Sequence, residues 1–312
     1  MNHVLWVDKY RPNELADYVW RDDQEREKVE EWLSTGVLPH LCFSGSPGTG
    51  KTSLALMMLK LLNVPDGDIL IRNAVKIRTV DKFQETITNF VSTWPFGNMK
   101  YVVLDEADRL SATSQEFLKH EIEKYSDTCR FIFTCNNASR LISPLISRCQ
   151  CMDFRLLDYD DFIARVGQIL MSENVKFEVD DLVNYVKATY PDMRRCINLL
   201  EQSTVKNKLS KPRASDVNGS SNDYLLNALC LFQEKRFREA RKCIVENVRA
   251  DEYIEIYQFL SRNLDLWGNT LDLQDDAFLV IRKGMLNHAI AGDPEINLAA
   301  TIIELGRVNM NT

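Results

Sequence analysis

Several absences narrow the field before any motif is read. No apolar run is long enough to cross a bilayer, so no membrane span is expected. The first residues, MNHVLWVDKYRPNEL, carry charges early and have no apolar h-region, so no secretory signal is expected either. That pattern suits the cytoplasm, or the nucleus of a eukaryotic source. Eight cysteines (Cys42, Cys129, Cys135, Cys149, Cys151, Cys196, Cys230 and Cys243) are scattered without one C-x-x-C pair. A zinc site is therefore not expected, and buried free thiols in a reducing compartment are. Positive charge is short too. With 38 Lys and Arg against 45 Asp and Glu, the net charge is -7. This argues against a whole-surface electrostatic grip on nucleic acid, which leaves a local patch or one face of an assembly. There is no internal repeat and no low-complexity tract.

What remains is ordinary globular composition, 312 residues with 45% hydrophobic and 27% charged, enough for two or three domains. Short apolar runs at 40–44 (HLCFS), 68–74 (DILIRNA), 100–106 (KYVVLDE), 129–136 (CRFIFTCN) and 149–154 (CQCMDF) are separated by amphipathic stretches. Near-continuous apolar strands between helices predict an α/β domain with a buried parallel sheet over residues 1–154. Beyond Phe154 the spacing is helical, and no further strands are expected. A small helical domain is read at 155–207, a polar linker with Pro and Gly at 208–222, and an all-α domain at 223–312.

The chemistry starts at GSPGTGKT, residues 45–52, which fits G-x-x-x-x-G-K-[ST] between a strand and an apolar helix. Gly45, Ser46, Pro47, Gly48, Thr49 and Gly50 would wrap phosphates with backbone amides, helped by the N-terminus of the helix that Lys51, Thr52 and Ser53 open. Lys51 would reach the β- and γ-phosphates of ATP, and Thr52 would ligate Mg²⁺. Asp105 and Glu106 close the third strand, at the end where open α/β sheets bind ligands. Asp105 suits the Mg²⁺ shell, and Glu106 suits the polarisation of an attacking water. A surface acidic turn is the alternative.

Residues 105–113, DEADRLSAT, contain the tetrapeptide DEAD and the tripeptide Ser-Ala-Thr, two signatures of DEAD-type helicases. In those enzymes the Ser-Ala-Thr motif lies a strand and a helix beyond DEAD, and a second sheet domain follows. Here Ser111 comes almost at once and the rest of the chain reads helical. Ser111, Ala112 and Thr113 are more simply a helix N-cap region.

Taken together, the motifs resemble those of AAA+ ATPases and, more narrowly, of sliding-clamp loader subunits: the small subunits of replication factor C and the ATPase subunit of T4-type phage loaders. The similarity spans about residues 4–205. WVDKYRP (6–12) resembles the family's N-terminal box, which implies that Tyr10 and Pro12 contact the nucleotide. PHLCFSGSPGTGKTS (39–53) follows the family's strand-to-P-loop run. TCNN (134–137) resembles sensor 1, implying that Asn136 helps place the lytic water; read alone, Asn136 and Asn137 also fit a plain turn. ISPLISRC (142–149) resembles the Ser-Arg-Cys motif of clamp loaders, implying that Arg148 reaches the γ-phosphate held by a neighbouring subunit. A structural ion pair is the alternative for that arginine. PDMRR (191–195) resembles sensor 2, with Arg194 at the aligned position and Arg195 beside it. The second domain would then be a lid, and the last an oligomerising collar. Two departures stand out: IRNAVKIRTVDKF (71–83) lacks the Asn-Ala-Ser-Asp wording of cellular loaders, and the collar is short, which suits a phage-encoded source.

The resemblance also implies partners: a sliding clamp, companion loader subunits in a pentameric ring, and primer–template DNA. Trp94 and Phe96, in NFVSTWPFGNMK (89–100), are the expected clamp contacts, with packing between helix and sheet as the alternative. Lys76, Arg78, Arg109 and Lys119 sit where relatives line the inside of the ring, although singly they are ordinary solvated charges. Another AAA+ DNA motor, of the branch-migration or helicase-loading kind, and a ring scaffold with a degenerate site are the competing readings.

Overall fold

Alternate residues along each strand face opposite helical layers. The computed structural model describes residues 4–76, 79–212, 224–250 and 252–310. Past a short N-terminal helix α1 (Trp6–Lys9), five strands form one sheet: β1 (Leu41–Ser44), β2 (Ile69–Asn73), β3 (Lys100–Asp105), β4 (Cys129–Cys135) and β5 (Gln150–Asp153). Their spatial order is β2-β3-β4-β1-β5, and every neighbouring pair is parallel. On one face Leu41, Phe43, Tyr101, Val103 and Ile132 pack with Val29 and Trp32 of α2 (Asp23–Thr35) and Leu54 and Met58 of α3 (Lys51–Leu61). On the other, Cys42, Val102, Leu104, Phe131 and Phe133 meet Phe83 and Ile87 of α4 (Val80–Val91) and Leu118 and Ile122 of α5 (Ala112–Lys124). Each such side chain, taken fully out of water, contributes about 1.5–3 kcal/mol. β2 is an edge strand, which explains why Ile71 and Arg72 stay exposed within an apolar-looking run.

Local chemistry sets the helix ends. Asp22 Oδ1 accepts the Glu25 amide at 2.8 Å and starts α2, and Gly36, at φ 74°, ends it. Ser111 Oγ accepts the Ser114 amide at 3.2 Å, so Ser-Ala-Thr is the start of α5. A one-turn helix, α6 (Ser143–Ile146), leads to Arg148.

The chain divides into two compact units. One contains the sheet and comprises Met1–Ile169 with Pro191–Asn198; the other comprises Leu170–Tyr190 with Leu199–Thr312. Helices α7 (Tyr159–Ser172), α8 (Val179–Thr189) and α9 (Met193–Gln202) follow the sheet in sequence. In the second unit, α8 is joined by α10 (Tyr224–Gln233), α11 (Phe237–Asn247), α12 (Tyr253–Arg262), α13 (Leu271–His288) and α14 (Pro294–Met310). Fully buried Trp267 centres the core there, edge-on to Phe232 with ring centroids 4.9 Å apart.

Three expectations need amendment. Strands do not stop at Phe154: β6 (Thr204–Val205) and β7 (Lys208–Leu209) form a small antiparallel hairpin. Its two loop residues, Lys206 and Asn207, have φ of 50° and 58°, the left-handed pair that a tight hairpin needs; without glycine they give little sequence signal. The stretch read as a linker thus begins in a strand, and residues 213–222 of it lie outside the described residues. Finally, six thiols are buried, but Cys149 is half-buried and Cys151, on the edge strand β5, is exposed. No described helix is long and apolar enough to cross a membrane.

Candidate nucleotide site

The loop after β1 is shaped by what lies against it. Gly45 has φ 145°, and a Cβ there would sit 2.3 Å from the Phe154 carbonyl carbon. Gly48 has φ 72°, and a Cβ would fall 1.7 Å from a carboxylate oxygen of Asp192. Only glycine fits either place. The loop then enters α3, whose first amides face the loop's concavity.

Lys51, only 8% exposed, crosses this concavity. Its Nζ donates to the carbonyls of Gly45 (2.8 Å) and Ser46 (2.6 Å) and to Asn136 Oδ1 at 3.3 Å. Burial pulls its pKa down, opposed by the nearby Asp105 carboxylate.

The acidic side comes from β3. Thr52 Oγ1 donates to Asp105 Oδ1 at 2.8 Å, and Thr134 Oγ1 donates to the same oxygen. Glu106 takes the left-handed conformation, φ 55° and ψ 41°, unusual for a side chain with a Cβ and costing on the order of 1 kcal/mol. Asn73 Nδ2 reaches Glu106 Oε1 at 3.2 Å and Asp105 Oδ2 at 3.4 Å. Arg109 Nε lies 3.3 Å from Glu106 Oε2.

Because β4 runs between β1 and β3, its C-terminal end delivers Asn136 between the P-loop and the two carboxylates. The adjacent asparagines have different tasks. Asn137 makes a turn, accepting the Ser139 amide at 3.0 Å, while its own amide donates to Asp108 Oδ2 at 3.3 Å. Asn136 instead faces Lys51.

Two cavities meet at the loop. The smaller, about 130 Å³, is lined by Pro47–Ser53 together with Asp105, Glu106, Thr134, Asn136 and Arg194. The larger, about 340 Å³, is lined by Tyr10, Pro12, Tyr18, Met193 and Ile197, and shares Gly48, Thr49, Gly50, Ser53 and Arg194 with the first. The first is polar, with Lys51 and Arg194 facing Asp105 and Glu106; the second sets ring and apolar groups beside the charged Asp8, Arg11, Asp17 and Arg165. A triphosphate attached to a flat heterocycle has this division of character. The paired oxygens of Thr52 and Asp105 are hard donors of the sort Mg²⁺ takes.

Arg148 stands apart, lining neither cavity. Its guanidinium pairs with Glu123 of α5, Nε to Oε1 at 2.9 Å. Lys76 is exposed. Arg109 pairs with Glu106, Lys119 with Glu116 at 2.6 Å, and Arg78 lies outside the described residues. Trp94 and Phe96 are 84% and 83% exposed, so neither packs between helix and sheet. Their loop is nevertheless pinned. Fully buried Asp68 accepts the amides of Phe96 (2.9 Å) and Gly97 (2.7 Å), and buried Lys100 donates to the Phe90 carbonyl at 2.8 Å.

Sequence reasoning missed several residues of this site. Asn73 and Thr134 sit in strands whose apolar neighbours mask them. Tyr18 lies under the loop with its hydroxyl 3.3 Å from the Thr49 carbonyl, and burial raises its pKa. Asp192 caps α9 through the Arg195 amide at 2.8 Å. Its place in PDMRR two residues before Arg194, and that of Thr134 in TCNN two residues before Asn136, are the signals that were available.

Residues 41–156 match the family described as ATPases associated with various cellular activities (AAA). The replication factor C small subunit of Sulfurisphaera tokodaii is 31% identical over 97% of this chain and 95% of its own length. That of Archaeoglobus fulgidus is 37% identical over 64% of each chain. Among solved structures, a RuvB mutant from Thermotoga maritima superposes with a TM-score of 0.57 at 16% identity, over 81% of this chain and 91% of that one; at such identity the likeness is one of fold. With P-loop, acidic pair and Arg194 gathered around one concavity, and a relative aligned along nearly the whole length, the chain belongs to the replication factor C small-subunit family of AAA ATPases.

Proposed function

We propose that this chain is an ATPase subunit of a sliding-clamp loader, which binds ATP to open a clamp and place it on primer–template DNA and hydrolyses ATP to release it. The observation that carries the reading is the pair of cavities joined at Gly48–Gly50 and Arg194, one suited to phosphates and one to a base. Lys51 exchanges its loop carbonyls for β- and γ-phosphate oxygens when ATP binds. Thr52 and Asp105 would hold Mg²⁺, which would supply charge neutralisation on the phosphates. Glu106 orients a water and takes its proton as the water oxygen bonds to the γ-phosphorus and the bond to the ADP oxygen breaks. Asn136 aligns that water, and Arg194 follows the nucleotide from the segment 191–198 as a lid contact, with Tyr10 and Pro12 against the base.

Arg148 serves the site of the next subunit, completing a pocket at the seam between protomers. An arginine supplied this way raises kcat by about 10³–10⁵. Assembly runs through the collar, read at 223–312, where Leu271 (78%) and Leu286 (59%) of α13 and Ile290 (84%), two residues past its end, are exposed. Trp94 and Phe96, exposed on a pinned loop, are the clamp anchors. DNA contact comes from Lys76, Arg109 and Lys119 only when copies converge around the duplex, and is salt-sensitive and independent of sequence. Release of Arg109 to a phosphate would also free Glu106.

The test is ATP turnover by the subunit purified with its natural companions. Turnover should rise when clamp and primed template are added together. Stimulation by four-way junction DNA, with no response to clamp, would assign the chain to a branch-migration motor instead.

A further inference from the structure

We infer that Glu123 is a positioning residue for Arg148, holding one edge of its guanidinium so that the remaining edge is presented to the neighbouring subunit's nucleotide. The inference rests on the reading of Arg148 as a residue acting across the seam. Its grounds are geometric. Nε and Nη2 of Arg148 converge on the single oxygen Oε1 of Glu123, with Nε at 2.9 Å, while Nη1 donates to the Pro144 carbonyl at 2.5 Å. A guanidinium has five N–H groups. Three are engaged, and among the described residues the other two, one on Nη1 and one on Nη2, have no acceptor. Those two nitrogens form the end of the side chain, the edge that a pair of phosphate oxygens can receive.

Stability does not account for the contact. The side chains are 31% and 52% exposed, and ion pairs at that exposure contribute little to folding. Orientation does account for it. Arg148 leaves the chain just past the one-turn helix α6, while Glu123 sits in the last turn of the thirteen-residue α5, a longer and better anchored element. Two fixed points, Glu123 and the Pro144 carbonyl, restrict a long side chain that would otherwise sample many rotamers before meeting a phosphate. The hydrogen bond and charge of Arg148 draw the Glu123 carboxyl below its ordinary pKa.

The experiment measures steady-state ATP turnover of the full assembly, with clamp and primed template present, for Glu123→Ala, Arg148→Ala and the double variant. Glu123→Ala should lower kcat about tenfold with KM for ATP unchanged, because what is lost is orientation rather than nucleotide binding. Its melting temperature should match the parent. The double variant should be no slower than Arg148→Ala alone, since the two residues act as one unit. Glu123→Gln, which keeps an acceptor, should fall between. If Arg148→Ala slows turnover while Glu123→Ala leaves it unchanged or raises it, the positioning role is wrong and the seam reading survives. If Arg148→Ala itself has no effect, the seam reading falls, and this inference falls with it.

Discussion

Trp94→Ala and Asp68→Ala separate what a surface aromatic does from what holds it in place. Trp94 is 84% exposed, so deleting its ring removes almost no contact within the chain, and stability should change by no more than about 0.5 kcal/mol. The same ring seated in a partner's pocket is worth about 2–4 kcal/mol by truncation, a loss of roughly 30- to 1000-fold in clamp affinity. Asp68 is the opposite case. It is fully buried and receives two amides, from Phe96 at 2.9 Å and Gly97 at 2.7 Å. Its removal strands both donors of a loop that buried Lys100 anchors at the other end. At about 1–3 kcal/mol for buried groups left without a partner, Asp68→Ala should cost about 3 kcal/mol of stability and also weaken clamp binding. Denaturant unfolding and a clamp-binding isotherm on the same preparations give the two numbers. A cooperative loss of fold in Trp94→Ala, or undiminished clamp affinity, would refute the assignment of this loop as a docking element.

Three further expectations follow from individual side chains. Burial, helped by nearby Arg130, holds the half-buried His40 pKa at about 4 against an ordinary 6.5, while its Nδ1 accepts the Phe131 amide at 3.0 Å. Its contribution is therefore complete above 6.5 and is lost as pH falls from 6.5 towards 4, because the unfolded chain takes the proton first. That loss amounts to at most about 3 kcal/mol, and urea unfolding of His40→Asn should show a correspondingly flatter pH profile. Gly48→Ala forces a Cβ onto the Asp192 carboxylate at a left-handed backbone position, and nucleotide titration should find affinity reduced more than about tenfold with the remaining fold intact. Glu106→Gln keeps the shape of the site but not the proton acceptor; ATP should still bind, while turnover drops by about 10²–10⁴.

The fold was legible because its signals are local and repeated. The three interior strands β1, β3 and β4 announced themselves as apolar runs because both their faces are covered, and the edge strands β2 and β5 kept enough of that character to be read with them. The P-loop was legible because glycine and lysine at fixed spacing have few other uses. Less visible were residues whose role comes from register. Asn73 meets Glu106 only because β2 lies beside β3 with Asn73 opposite Asp105, and Thr134 reaches Asp105 only because β4 is β3's other neighbour. Spacing along the chain contains neither fact. The hairpin at 204–209 escaped notice because Lys206 and Asn207 adopt left-handed angles without a glycine to mark them. For Trp94 the sequence left two readings open, a clamp contact or packing between helix and sheet; its 84% exposure removes the second, and the way Asp68 and Lys100 fasten the loop is visible only in the fold.

The seam is tested most directly by mixing. Assemblies in which one subunit carries Arg148→Ala and its neighbour carries Glu106→Gln should be compared with assemblies uniformly bearing either change, all at saturating ATP with clamp and primed DNA. If the guanidinium completes a neighbour's pocket, uniform Arg148→Ala should retain ATP binding and lose about 10³–10⁵ in kcat. Mixed assemblies should recover turnover at those seams where an intact Arg148 faces an intact Glu106. Full turnover from uniform Arg148→Ala, or full turnover by the isolated subunit that does not change on dilution, would contradict the account.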